Sequence, residues 1–116
     1  MATITIMRES DGTNNIVGFE IFSNDIHVAD LNAKSYVKFE VEPGKIKLQA
    51  KQKTMTTAYV TGTEEFVAEA GKNYYFEGSI FKISLAGKIS LTPISQKKFE
   101  ANKGILKSPM LGADVN

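Results

Sequence analysis

Cysteine and tryptophan are absent from this chain of 116 residues, and histidine occurs once. Without cysteine, the sequence as given can form no disulfide, no thiolate metal site and no cysteine nucleophile, and it offers no N-terminal cysteine for lipid attachment. Long apolar runs are also missing, since none approaches the roughly 20 residues that a membrane-spanning helix needs. We therefore predict no membrane span and no thiol chemistry.

Charge of one sign is not in excess, because 14 lysines and arginines face 13 aspartates and glutamates. A net charge of +1 creates no overall attraction to nucleic acid or to an anionic membrane, so such binding would need a local patch. The best patch is the lysine row of the fifth predicted strand, residues 45–51. Lysines in a row also protect an exposed strand edge against unwanted pairing, and Arg8 is the only arginine. We predict edge protection and no nucleic-acid partner.

The N-terminus is compatible with two cellular locations of the protein. It alternates like a strand and lacks the basic start and apolar centre of a signal peptide. One possibility is a cytoplasmic protein, as the chain is written. If an export signal was removed, the domain would instead belong to the periplasm or the cell envelope. The residues themselves favour neither compartment.

Short alternating apolar segments dominate the sequence, and residues typical of tight turns separate them. Within residues 16–48 the separators are 23–25, 32–34 and 42–45, where Asn, Asp, Pro and Gly supply turn geometry. This stretch predicts a β-meander, in which neighbouring strands are joined by short hairpin turns. We expect the rest of the chain to be arranged around it.

The two ends of the chain differ in the secondary structure that their sequence patterns predict. Ile4 and Ile6 alternate with polar threonines, which predicts a first strand that is half-buried. Near the C-terminus, Ser95 is suited to cap a helix near residues 95–103, and Gly104 is suited to end that helix in a left-handed conformation. The sequence therefore predicts strands throughout and one short helix at the end.

Eight or so short strands followed by one helix indicate an all-β fold, an antiparallel β-sandwich of about seven to nine short strands. A closed barrel is the alternative architecture. At this length we expect one domain, residues 1–104, followed by a C-terminal tail, residues 105–116. The tail carries apolar side chains, so we expect it to dock on this domain or on a neighbour.

Four features in a fixed order resemble a family of small bacterial β-sandwich domains, domain-of-unknown-function family 2846, which is distantly similar to PEGA-type envelope domains. They are Arg8 after the first strand, the segment 21–31, the passage from Ser35-Tyr36 to the Pro-Gly-Lys turn, and the Ala-Gly-Lys-Asn-Tyr-Tyr segment at 70–75. The match spans roughly residues 3–100. Where the family has Gly in the first hairpin, this chain has Asn24-Asp25, which can form the same turn. The resemblance implies a sandwich that is often exported or lipid-anchored, and it implies no activity.

The single histidine is the first candidate for chemistry. His27 lies between Asp25 and Asp30, and on a strand Asp25 and His27 would share a face. A metal site needs three or four ligands, however, and neither a second histidine nor a cysteine is present to supply them. We therefore predict a surface histidine, no metal and no cofactor.

Two further motifs also fail to indicate a reaction. Three Gly-Lys pairs, at 44–45, 71–72 and 87–88, lie between strand patterns, so we predict hairpin turns and not phosphate-binding loops. A glycosidase would need two carboxylates facing each other across a cleft, and the available glutamates are Glu64, Glu65, Glu69 and Glu77. We predict that the chain is not an enzyme, with a hydrolase as the weakest alternative.

Short loops and exposed strand edges favour a non-catalytic binding or assembly module. We expect it to self-associate or to dock on a protein partner through a sheet edge and the C-terminal tail, because strand addition at a sheet edge is a common mode of association. The side chains predicted to lie at that interface are aromatic or apolar: Tyr36, Tyr75, Leu106, Met110 and Leu111. The alternative is a small-ligand or carbohydrate-binding domain that uses the surface tyrosines.

Overall fold

The computed structural model describes residues 1–8, 18–32, 34–53, 59–83, 86–104 and 106. These residues form eight strands and one helix, and the number of strands agrees with the predicted range. In chain order the elements are β1 (Ala2–Arg8), β2 (Phe19–Ser23), β3 (Ile26–Leu31), β4 (Ser35–Val41), β5 (Gly44–Lys53), β6 (Tyr59–Ala68), β7 (Asn73–Ile83), β8 (Ala86–Ile94) and α1 (Gln96–Lys103).

The strands pair into two sheets of four. Sheet A has the order β4–β1–β7–β8, and sheet B has the order β3–β2–β5–β6. Neighbouring strands run antiparallel in both sheets, except that β1 and β7 run parallel. The apolar sides of the two sheets share one core. The predicted all-β sandwich with a short C-terminal helix is confirmed.

Residues 16–48 do not form the predicted meander, because the chain crosses from one sheet to the other twice within them. β2 and β3 form a hairpin in sheet B, β4 lies in sheet A, and β5 returns to sheet B beside β2. The crossings contain residues with positive φ, Lys34 at 58° and Gly44 at 132°, which turn the chain sharply. The meander prediction is wrong because alternation shows which face of a strand is buried, but not which sheet the strand joins.

The Gly-Lys pairs are not the predicted hairpin turns. Gly44 completes the crossing from β4 to β5, and Gly71, with φ of 78°, lies in the crossing from β6 in sheet B to β7 in sheet A. Gly87 lies within β8 itself. Crossings and hairpins use the same turn residues, since both reverse the chain in a few residues, so the sequence does not distinguish them.

β1 is buried on both faces, and the prediction of a half-buried strand is wrong. Ile4 and Ile6 belong to the core between the sheets. On the opposite face Thr5 and Met7 are also buried, and Met7 packs in a second cluster that includes Phe99 of α1. The part of the outer face of sheet A around Met7 is therefore covered, which strand alternation cannot reveal.

The lysines of β5 do not protect an edge, because β5 lies between β2 and β6 in the middle of sheet B. They lie instead on the outer face of that sheet. Lys47 Nζ is 2.8 Å from Asp25 Oδ1, and Lys51 Nζ is 4.6 Å from the centre of the Phe22 ring. The predicted edge protection is thus replaced by contacts with acidic and aromatic neighbours.

The single arginine is a core residue. Arg8 is completely buried, its guanidinium carbon lies 3.9 Å from the centre of the Phe19 ring, and Nη1 donates a hydrogen bond of 3.4 Å to the carbonyl oxygen of Leu31. Attraction to the aromatic face offsets part of the cost of burying a charge. Through these contacts the end of β1 in sheet A is joined to β2 and β3 in sheet B.

Helix α1 begins as predicted and ends differently. The Ser95 hydroxyl accepts a hydrogen bond of 3.0 Å from the backbone N–H of Lys98, which is the expected cap. Gly104 ends the helix with φ of −66° and ψ of −24°, so the predicted left-handed ending is wrong. The backbone N–H of Leu106 donates to the carbonyl oxygen of Lys103, and the resulting turn returns Leu106 to the cluster that contains Phe99.

Candidate functional site

The outer strands β6 and β8 face each other across the gap between the sheets, close at one end and apart at the other. The strands are closest at Gly62. They leave no room for a side chain there, since a methyl group on Gly62 would lie 2.5 Å from the carbonyl oxygen of Ile89. Farther along, between Phe66 and Pro93, a cleft of about 360 Å³ opens. Ligand sites in proteins commonly have volumes of about 300–1,000 Å³.

We call this opening the seam cleft, and its lining residues are Glu64, Phe66, Val67, Asn73, Tyr74, Tyr75, Phe76, Pro93, Ile94 and Gln96. Its floor is aromatic: the ring of Phe66 lies 5.0 Å from that of Tyr74 and 5.2 Å from that of Phe76, centre to centre. The hydroxyl of Tyr74 accepts a hydrogen bond of 2.8 Å from the backbone N–H of Glu69, which fixes the ring. The cleft therefore combines an ordered apolar floor with a few polar side chains on its walls.

Two strand edges border the seam cleft. β6 is the outer strand of sheet B, and its partner β5 lies on the side away from the cleft. β8 ends at Ile94, opposite Tyr75, so Asn73 and Tyr74 extend beyond β8 and, within the described residues, have only β1 as a strand partner. Backbone groups at such edges can form hydrogen bonds with an added strand.

Exposed aliphatic side chains occur at both edges of sheet B. Val67 on β6 is 61% exposed at the rim of the seam cleft, and Ile26 on β3 is 67% exposed at the opposite edge. β3 changes register against β2 between Ile21 and Phe22, and a bulge of this kind disfavours further pairing. β6 keeps a continuous register against β5, so it is the better edge for strand addition.

Three of the residues predicted at an interface lie together under α1. Phe99 is buried between Tyr36, in edge-on contact at 5.1 Å, and Tyr75, at 5.5 Å. Leu106 is buried in the same cluster. Tyr36 and Tyr75 remain half-buried, and Tyr75 also lines the seam cleft. Met110 and Leu111 lie outside the described residues, and a role for any of these residues at an interface stays a prediction.

The four glutamates considered for hydrolysis are dispersed. Glu64 lines the seam cleft, whereas Glu65 lines a separate concavity on the other side of β6. Glu69 pairs with Lys72 at 3.4 Å, and Glu77 pairs with Lys98 at 2.9 Å. The structure brings only Glu64 of the four into the cleft.

The separate concavity, of about 420 Å³, has a lining that includes the polar or charged side chains of Asn24, Lys45, Lys47 and Glu65. Several of these groups already have partners. Lys47 pairs with Asp25, and the Asn24 side chain bonds the carbonyl oxygen of Lys45 and the backbone N–H of Lys47. These contacts join the tip of the β2–β3 hairpin to β5, so this concavity is a less suitable site than the seam cleft.

The hairpin of β2 and β3 brings together three residues that can ligate metal: Glu20, His27 and Asp30, with ligand atoms within 4.8 Å of one another. His27 Nε2 lies 2.8 Å from Asp30 Oδ1. Asp25 and His27 do not share a strand face, because Asp25 lies in the turn between β2 and β3 with φ of 70°. There it bonds Lys47, which holds the pKa of the Asp25 carboxyl below its usual range. Glu20 is not recognisable from the sequence, because its approach to His27 and Asp30 depends on the pairing of β2 with β3.

Comparisons with family models, with curated proteins and with solved structures found no match to this chain. The resemblance to domain-of-unknown-function family 2846 therefore stays a prediction. Among the described residues, no helix has the length and apolar character required to cross a membrane.

Proposed function

We propose that this domain is a non-catalytic binding module that accepts an extended protein segment, from a partner or from a second copy of itself, in the seam cleft. The observation that carries the proposal is that two strand edges and an aromatic floor meet at one place. A bound segment would add main-chain hydrogen bonds to β6 or to the start of β7. Its alternate side chains would pack against Phe66 and Tyr74.

The lining of the cleft indicates the chemistry of the segment. The floor favours apolar or aromatic side chains at alternate positions, because Phe66, Tyr74 and Phe76 form one aromatic group. Glu64 is half-buried on the wall, so a lysine or arginine of the segment would complement it. We therefore expect an extended segment with alternating apolar residues and one basic residue.

The C-terminal tail remains part of this proposal. Leu106 packs on its own domain beneath α1, and residues 107–116 lie outside the described residues. The tail of a second copy is one source of an extended segment. The alternative source is a different protein.

Light-scattering mass across a concentration series tests self-association. We would compare the full chain with a chain that ends at Gly104 and with two matched variants, Val67→Asp at the cleft rim and Ile26→Asp at the opposite edge. Both substitutions place a charge at a strongly exposed aliphatic position, so stability should change by only about 0.5 kcal/mol. We expect the full chain and Ile26→Asp to associate, and Val67→Asp and the shortened chain to remain monomeric.

A loss of association in Ile26→Asp but not in Val67→Asp would place the interface at β3 and contradict the use of the seam cleft. If the full chain is monomeric at high concentration, self-association is wrong and the segment must come from another protein. If only the shortened chain loses association, the tail acts elsewhere on the surface.

A second candidate function, binding of a small ligand or carbohydrate, is favoured by the volume and aromatic lining of the same cleft. Tyr75 would then contact the ligand. Titration of the full chain with a panel of monosaccharides and short oligosaccharides, followed by amide chemical shifts, distinguishes this function. Saturable shifts at residues 64–67 and 73–76 would support it, and unchanged spectra would contradict it.

A further inference from the structure

We propose that the outer face of the β2–β3 hairpin binds a divalent transition-metal ion, such as Zn²⁺, through Glu20, His27 and Asp30. This site lies on the outer face of sheet B, away from the seam cleft, and goes beyond the proposed docking function. The inference rests on how the hairpin brings one imidazole and two carboxylates together, with their ligand atoms within 4.8 Å of one another.

A register shift in the hairpin makes this arrangement available. In a regular strand, residues three apart point to opposite faces, so His27 and Asp30 would be separated by the sheet. The bulge between the pairs Ile21–Ala29 and Phe22–His27 adds a residue to β3 and returns both side chains to one face. His27 Nε2 and Asp30 Oδ1 consequently lie 2.8 Å apart. Bulges commonly redirect a side chain next to a functional site.

The pairing of β2 with β3 supplies the third ligand. Glu20 lies directly opposite Asp30 in the ladder, where facing side chains are about 5 Å apart. The ring of Phe22 lies 5.3 Å from that of His27, so the imidazole is supported from one side. In a tetrahedral Zn²⁺ site, ligands at about 2.0–2.2 Å from the metal lie roughly 3.3–3.6 Å from one another. Small rotations of the exposed Asp30 carboxylate and of Glu20 would reach that spacing.

The donor set defines the class of ion. One neutral imidazole with two carboxylates suits Zn²⁺, Co²⁺ or Ni²⁺, whereas Ca²⁺ and Mg²⁺ prefer sites made only of oxygen. Two carboxylate charges would balance the charge of a divalent ion. Three protein ligands leave a coordination position open to water or to a group of another molecule.

Lys51 opposes metal binding and provides a sharp test. It lies opposite Glu20 in the ladder of β2 and β5, and its ammonium group lies over the Phe22 ring. A positive charge at this position repels a cation. We therefore expect Lys51→Met to bind Zn²⁺ more tightly than the unaltered chain.

Zn²⁺ titration of the full chain, without an affinity tag, can be followed through the ring signals of His27. The chain has one histidine and no cysteine, so these signals need no further assignment and no thiolate competes. We expect saturable binding that Glu20→Gln and Asp30→Asn each weaken about tenfold or more. The matched control is Asp25→Asn, which removes the same charge on the same hairpin outside the cluster and should change the affinity by less than about twofold.

Co²⁺ absorption in the visible range gives an independent readout of coordination, and amide spectra of each variant show that the fold is kept. Binding that does not saturate would overturn the proposal. Binding that Glu20→Gln and Asp30→Asn leave unchanged would also overturn it, because His27 alone would then be the ligand.

Discussion

The outer faces of the two sheets are completed in different ways. Part of sheet A presents apolar side chains outward, and α1 covers this part through Phe99, which packs on Met7 and on two half-buried tyrosines. Sheet B presents charged side chains that contact one another, such as Lys47 with Asp25 and His27 with Asp30. Sheet A therefore requires a cover, whereas sheet B is stable in contact with water.

This difference shows where apolar surface is left for a partner. The tyrosines and Leu106 that the sequence suggests for an interface are largely used to hold α1. Among the accessible apolar side chains, Phe66 and Val67 lie where the sheets separate, in the seam cleft, whereas Ile26 lies at the opposite edge of sheet B. The proposed docking site is thus at the junction of the two faces.

Removing the side chain of α1 that covers sheet A should have the largest effect on the stability of the fold. Phe99→Ala deletes the buried ring that contacts Met7, Tyr36 and Tyr75, and we expect a loss of about 3–5 kcal/mol in the free energy of unfolding. Denaturant unfolding measures this loss. Glu100→Ala changes an exposed residue of the same helix and serves as the control. Equal stability of the two variants would mean that α1 does not complete sheet A.

The point of closest approach between β6 and β8, at Gly62, should show the next largest effect on stability. Gly62→Ala would place a methyl group 2.5 Å from the carbonyl oxygen of Ile89, so one strand must move, at a cost of about 1–3 kcal/mol. Thermal unfolding compared with Gly104→Ala gives the measurement, because the control methyl group meets no atom within 4 Å. If both variants are equally stable, β6 and β8 are not in close contact at Gly62.

The smallest effect on stability is expected on the outer face of sheet B, which is in contact with water. A hydrogen bond and the charge of Lys47 lower the pKa of the Asp25 carboxyl in the folded chain. This pair therefore stabilises the fold above the pKa of the unfolded chain, and the stabilisation is lost as pH falls through the lowered value. Lys47→Met should raise the pKa of Asp25, as measured by NMR of its carboxyl carbon. Lys45→Met is the matched control, and an equal rise in both variants would exclude Lys47 as the cause.

Sequence patterns predicted much of the fold and little of the site. Alternation identified strands such as β5, with Ile46, Leu48 and Ala50 buried, and Ser95 marked the start of α1. Local patterns do not contain the pairing partners of a strand, so they could not place β4 and β5 in different sheets or β5 at the centre of one. The seam cleft and the Glu20–His27–Asp30 cluster both depend on contacts between distant segments. Those contacts exist only once the sheets have assembled.

The use of the seam cleft can be tested most directly with a library of extended peptides displayed on phage and selected against the full chain. The binding site of a selected peptide would then be mapped by amide chemical shifts. We predict alternating apolar residues with one basic residue in the peptide, and shifts concentrated at residues 64–67 and 73–76. Shifts concentrated on β3 instead, or a failure to select any peptide, would contradict the proposal that the cleft accepts an extended segment.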